Sequence, residues 1–252
     1  MTIESARNFL FEHHQAFLGT VMDTGAHAEG AASAQPYVSA VNMVASHDSC
    51  LLLQVSRLAV HSHNLLANRA CSLLLMSPDQ EDFQQSPRLS VQGVAREVES
   101  HLADRYLRLF PHSRAYLDLD FYCLAVDIKE ARWIEGFARA EWIEGRDLCP
   151  SSASGDLTAW NDESERALID AVAAEFMPAL QRFSDGVSSS SVDNNTLSGH
   201  TANLGAVALA AIDPWGLWLL CDGQPRRLSF DLPVQHPSRV RATIVEMLGG
   251  AE

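Results

Sequence analysis

The chain has 252 residues, more than one domain usually holds, so two domains are the first expectation. Its 47% hydrophobic content suits a globular protein with a proper core, and its net charge of −14 argues against nucleic acid or anionic membrane surfaces as main partners. No apolar run approaches the ~20 residues that span a bilayer, and Glu4, Arg7 and Glu12 interrupt what would have to be the apolar stretch of a secretory leader.

In chain order, residues 2–17 read as a helix, with Ile3, Ala6, Leu10 and Phe17 near one face and Thr2 as a cap. A Gly/Ala loop, Thr24 to Ala34, leads to two strands, Tyr37–Ala45 and Cys50–Val55, around the turn Ser46-His47-Asp48-Ser49. A short helix fits His61–Ala67, and strands fit Cys71–Met76 and Arg88–Glu97, the latter with Leu89, Val91, Gly93 and Ala95 alternating against Ser90, Gln92 and Arg96. A helix from Glu99 to Phe110 stops at Pro111, and Phe121–Ile128, Ala131–Ile134 and Arg139–Ile143 complete the strands. Many short strands with few helices predict a closed or half-closed barrel.

Cys149–Ala159 has the composition of a linker. Beyond it Asp162–Arg182 reads as a helix that Pro178 should kink or end, and Ser184–Thr201 as a mobile polar loop. Val207–Ile212, Leu217–Leu220 and Arg227–Phe230 form a meander through the turns Asp213–Gly216 and Asp222-Gly223. Pro237–Leu248 closes the chain as an amphipathic helix, with Val240, Ile244, Val245 and Leu248 on its apolar side. The cysteines Cys50, Cys71, Cys123, Cys149 and Cys221 form no CxxC, and most lie in apolar runs; buried free thiols in a reducing cytoplasm account for them.

The sequence holds no P-loop, GxGxxG, GxSxG or HExxH. His61-Ser62-His63 offers two imidazoles but no nearby third ligand for a metal, and His13-His14 point in different directions on a helix. The informative segment is Gln54 to Leu65, where a strand ends at Ser56-Arg57 and a helix soon begins. Arginine supplies a bidentate fork, serine a hydroxyl, and the junction free backbone N–H groups, so an anion site is one reading and an exposed loop arginine the other.

The run Ser56-Arg57-Leu58-Ala59, followed by His61-Ser62-His63-Asn64-Leu65, resembles the segment that lies along the flavin phosphate in pyridoxamine-phosphate-oxidase-like split barrels. Ala131 to Ile143 is similar to the Gly-Gly-Phe-Gly stretch of the haem-utilisation (HugZ-type) branch, with Gly136 and Phe137 matching and Glu135 and Ala138 replacing the outer glycines. The part from Ala211 to the last helix resembles the small domain that accompanies this barrel. Its Asn-x-Asp-His signature has no counterpart at Val172–Phe176.

The resemblance implies an α+β fold: a split β-barrel over residues 1–148, a linker at 149–160 and an α-β-β-β-α domain over 161–252. It further implies a homodimer with ligand in the crevice between subunits, and haem or FMN as cofactor. The implied cofactor-binding residues are Ser56, Arg57, His61, Asn64, Arg132, Gly136, Phe137 and His236. Arg132 matches the distal-side arginine of haem-binding members, and His236 is the candidate ligand to haem iron, with His13 and His14 next. Three functions follow: a haem-binding, haem-degrading protein of iron utilisation, an FMN-dependent oxidoreductase, or a binding module without cofactor.

Overall fold

A computed structural model describes residues 3–23, 34–48, 50–77, 82–136, 139–149, 156–189 and 206–249. The chain forms two compact units, Met1–Asn161 and Asp162–Glu252. No described helix is long and apolar enough to cross a membrane.

In the first unit, helix α1 (Ile3–Glu12) buries Ala6, Phe9 and Leu10, then gives way to strand β1 (Gln15–Asp23). The helix expected through Phe17 therefore ends five residues early. Ala16, Leu18 and Thr20 are buried while Phe17 and Val21 are exposed, a period of two that pairs with β2 (Ala34–Ala45) from Gln15↔Asn42 onward. Next come β3 (Cys50–Ser56), α2 (Val60–Ala67), β4 (Ala70–Met76), β5 (Arg88–Val98), β6 (Phe121–Gly136) and β7 (Arg139–Glu144). The expected helix 99–110 is a 3-10 turn, Ser100–Ala103, followed by α3 (Asp104–Leu109).

The sheet order is β3-β2-β1-β4-β5-β6-β7, and β3 also pairs with β6, so six antiparallel strands close into a barrel with β7 added outside. What read as two strands, Phe121–Ile128 and Ala131–Ile134, is one strand of 16 residues. Lys129 is the extra residue of a bulge, since Gln92 pairs with Glu130 and Gly93 with Ile128. That bulge lets one edge of β6 serve β3 along Phe121–Asp127 and β7 along Glu130–Gly136. Two glycines permit the close approach: a Cβ on Gly93 would lie 2.6 Å from Val126 Cγ1, and one on Gly145 only 2.0 Å from the Ile128 carbonyl oxygen. Leu18, Met43, Leu51, Leu53, Leu73, Leu75, Leu89 and Val91 fill the interior.

The stretch expected as a linker is packed at its described ends. Cys149, Leu157 and Trp160 are buried, a 3-10 turn covers Asp156–Ala159, and Trp160 stacks 5.8 Å from His47.

The second unit begins with α4 (Asp162–Ser189), which runs through Pro178 rather than ending there. Residues 184–189 of the expected loop are helical, and its remainder lies outside the described residues. Strands β8 (Val207–Asp213), β9 (Gly216–Cys221) and β10 (Gln224–Ser229) form the meander, turning at Asp222 (φ 52°) and Gly223 (φ 75°). Positive φ at both positions is the hairpin turn that Asp-Gly favours. Asp213, fully buried, receives both Arg227 Nη1 (2.9 Å) and Nη2 (2.7 Å) and the Trp215 N–H, while buried Glu165 accepts the Ile212 N–H and ties α4 to β8. Helix α5 (Val240–Gly249) follows a 3-10 turn; Val240 and Ile244 are buried, but Val245, a helical step off their line, is exposed.

Candidate cofactor-binding site

Strand register sets a row of side chains on the outer face of the barrel. Ala40 pairs with Phe17, Phe17 with Leu74, Leu74 with Ser90, Ser90 with Arg132 and Arg132 with Trp142. Their neighbours Leu18, Leu73, Leu75 and Leu89 point inward, so alternation turns this row outward. Part of the face is a cavity of about 890 Å³ whose walls include Phe17, Ala40, Leu74, Met76, Phe83 and Arg88. That volume falls in the range of small-molecule sites, roughly 300–1,000 Å³.

Two arginines stand on this face. Arg88 Nη1 donates to the carbonyls of Phe83 (2.9 Å), Gln84 (3.3 Å) and Ser86 (3.2 Å), which fixes the wall loop. Arg132 lies over the Trp142 ring, 5.3 Å from its centroid. Among the described residues, neither guanidinium pairs with a carboxylate. In a chain of net charge −14, these two cations are diagonal neighbours on one face of the barrel, a local departure from the overall negative charge.

The corner built by Ser56 and Arg57 differs. Ser56 Oγ donates to the Asp120 carboxylate, and Arg57 N–H to the Asp120 carbonyl at 2.8 Å. Arg57 Nη2 meets Glu97 Oε1 at 2.5 Å and the guanidinium covers Tyr122 at 4.2 Å. The hydrogen bond to Glu97 raises the Arg57 pKa above its ordinary value. Both groups expected to meet a phosphate are thus held by acids of this chain.

Near that corner, β2 pairs with β3 only as far as Met43↔Leu53, and α2 packs where the two strands part. Asn64 is buried and its Nδ2 donates to Thr20 Oγ1 at 2.9 Å; it secures α2 to β1. His61 Nδ1 contacts Ser39 Oγ at 3.0 Å, and burial lowers its pKa. Ser39 alternates with Ala40 along β2, so His61 and the cavity are served by opposite faces of that strand. None of these residues lines the cavity.

Gly136 adjoins the wall loop: a Cβ there would lie 3.3 Å from the Gln85 carbonyl oxygen. Phe137 lies outside the described residues. Glu135 sits at a register shift between β6 and β7 and approaches Arg139 at 3.6 Å, so its charge is matched locally. His236 is exposed and caps the turn before α5, with Nδ1 accepting the Ser238 N–H. Val172 and Phe176, standing where the Asn-x-Asp-His signature would fall, are buried packing residues of α4.

Of the predicted residues, Arg132 and Gly136 belong to the cavity's face or its wall loop; Ser56, Arg57, His61 and Asn64 form a separate corner. Arg88 escaped the sequence reading. Its signal was a cation on the polar side of a strand whose segment, Ser86–Ala95, contains no acid.

The fold defines a split-barrel protein with an apolar cavity on the outer face of its barrel. Residues 2–135 match the pyridoxamine 5′-phosphate oxidase family, and the chain belongs to that family. It is 36% identical over 109 residues to the chloroplastic heme oxygenase HOZ of Arabidopsis thaliana, a match over 42% of this chain and 33% of that protein. The chain thus spans about a third of the length of this curated relative. A crystal structure of a protein of unknown function from Agrobacterium tumefaciens superposes with a TM-score of 0.67 at 19% identity, over 98% of this chain and 95% of that one. A heme-binding protein from Mycobacterium smegmatis superposes with a TM-score of 0.51 at 21% identity, over 99% and 96%. Both likenesses establish the fold across nearly the whole chain.

Proposed function

We propose that this protein binds haem on the outer face of its barrel and serves the use of haem iron by opening the porphyrin. The observation that carries this reading is the apolar cavity of about 890 Å³ lined by Arg88, with Arg132 a diagonal cross-strand neighbour of Arg88 on the same face; neither cation pairs with a carboxylate among the described residues. A large planar apolar ring with carboxylates at one edge needs both features. The names of the Arabidopsis and Mycobacterium relatives support the same ligand. Haem iron, when bound, supplies oxygen activation. The chain's own contribution is to seat the ring against Phe17, Leu74, Met76 and Phe83, to exclude water there, and to match negative charge through the two arginines. We keep His236 as the proposed iron ligand on the resemblance alone, since it belongs to the second unit and is not among the walls of this cavity.

The exposed Phe17 (50%), Val38 (63%) and Trp142 (54%) on the same face support a homodimer that covers them. Within one chain β4 buries Leu73 and Leu75 but leaves Leu74 and Met76 on the cavity. The free state of Cys71, Cys123, Cys149 and Cys221 supports a reducing, cytoplasmic setting, and burial pushes the Cys71 thiol up to about 11.

Haemin titrated into apo-protein is expected to give a saturable Soret shift at one haem per protomer, and His236→Ala to alter the ligand-field bands. Unaltered bands would pass the ligand role to His13 or His14. The second reading, FMN, is favoured by family membership; the acids holding Ser56 and Arg57 weigh against it. A protein that purifies yellow, with haemin adsorbing without saturation, would establish FMN instead.

A further inference from the structure

We propose that Arg88 and Arg132 act together as a carboxylate clamp that sets which edge of the ligand meets the barrel; this rests on the haem-binding reading. Arg132 stands directly opposite Ser90, and Arg88 lies two residues from Ser90 on the same face of β5. The two arginines are therefore diagonal cross-strand neighbours, with Cα atoms about 7–8 Å apart. Two cations at that spacing repel each other, and neither forms an ion pair among the described residues, although Glu130 and Glu144 stand one step along the same face from Arg132. With Arg88 lining an apolar cavity and Arg132 next to it on the same face, the pair matches a ligand that presents two carboxylates on one edge of a hydrophobic plate, as the propionates of haem are arranged.

Arg88 has a second part. Its Nη1 is spent on three carbonyls of the loop that carries Phe83, while its Nε and Nη2 make no hydrogen bond within the described residues. One edge of the guanidinium thus fixes the cavity wall and the other faces outward, so binding an anion and ordering that wall are joined in one side chain. Arg132 has no such bracing role; it rests only on the Trp142 ring. The pair can therefore be separated experimentally.

The test compares haemin with haemin dimethyl ester, which keeps the ring and iron but lacks both negative charges. Wild type is expected to bind haemin about tenfold or more tightly than the ester. Arg132→Gln should weaken haemin and leave the ester unchanged, whereas Arg88→Gln, which also loosens the wall loop, should weaken both ligands but haemin more, so that in each variant the preference for the diacid shrinks. Equal affinity of wild type for both ligands would overturn the clamp while leaving haem binding intact. Equal losses of haemin and ester in Arg88→Gln, with no effect in Arg132→Gln, would also overturn it and reduce Arg88 to a brace of the loop. Flavin mononucleotide displacing haemin through the same two arginines would overturn the assignment to carboxylates. Absence of saturable haemin binding in wild type would remove the haem reading, and the clamp with it.

Discussion

Arginine is used in opposite ways in the two units. In the second, Arg227 is nearly buried, and both of its terminal nitrogens bond to fully buried Asp213. In the barrel, half-buried Arg88 lines an apolar cavity, half-buried Arg132 stands on the same face, and neither has a carboxylate partner among the described residues. The first arrangement pairs its charge within the chain, with only Arg227 Nε left over; the second leaves two cations without a carboxylate partner among the described residues. Arg57 falls with the first kind although it lies in the barrel, since Glu97 and Tyr122 already engage it. A cation's commitments, rather than its place in a recognisable motif, set Arg88 and Arg132 apart from Arg57 and Arg227.

Breaking the committed pair should have the largest effect. Asp213→Ala leaves Arg227 buried without its counter-charge, which costs about 3–5 kcal/mol. Urea unfolding of the full-length protein followed through Trp215 and Trp218 should show that loss, and co-replacement by Asp213→Leu and Arg227→Met should recover much of it. A loss of less than about 1 kcal/mol in Asp213→Ala would mean that the pair is not structural.

Next in size is Arg132→Ala, expected to lower haemin affinity by one to two decades, as removal of a charge-assisted contact worth roughly 1.5–3 kcal/mol does. The midpoint of thermal unfolding should hardly change, because only an exposed stacking contact is removed. Arg57→Ala should change haemin affinity by less than about twofold, as disrupting an exposed ion pair does. Under the FMN reading the order of the two arginines reverses, so spectral titrations of both variants with both cofactors decide between the readings.

How much of this was legible follows from how local each feature is. The Asp222-Gly223 turn and the meander around it were readable because their chemistry lies within a few residues. The junction of α1 and β1 was not: Ala6, Leu10 and Phe17 satisfy a helical period, while Ala16, Leu18 and Thr20 satisfy a strand, and only pairing with β2 decides. The unbroken β6 depends on a bulge defined by its neighbour β5. In the site, Arg132 came through family resemblance, and Ser56-Arg57 was visible as a motif. The acids that occupy that motif, Asp120 and Glu97, lie 64 and 40 residues away, and Arg88 gains its meaning only from cross-strand register.

The smallest effect expected concerns His61, at the corner that does not line the cavity. Burial lowers its pKa from 6.5, so the folded protein holds the ring neutral where the unfolded chain begins to take up a proton. The unfolded state therefore binds more protons between pH 6.5 and the lowered folded value, and stability falls as pH falls through that window. His14, lowered by burial and by neighbouring His13, acts in the same direction. His61→Gln should accordingly make the decline of Tm below pH 6.5 shallower than in wild type, with further flattening when His14→Gln is added. Saturating haemin should raise Tm at every pH without changing the difference in slope between wild type and His61→Gln, because a ring that holds α2 to Ser39 takes no part in the cavity. A slope difference that vanishes when haemin binds would move His61 from the structural corner into the ligand site and undo the division drawn between the two.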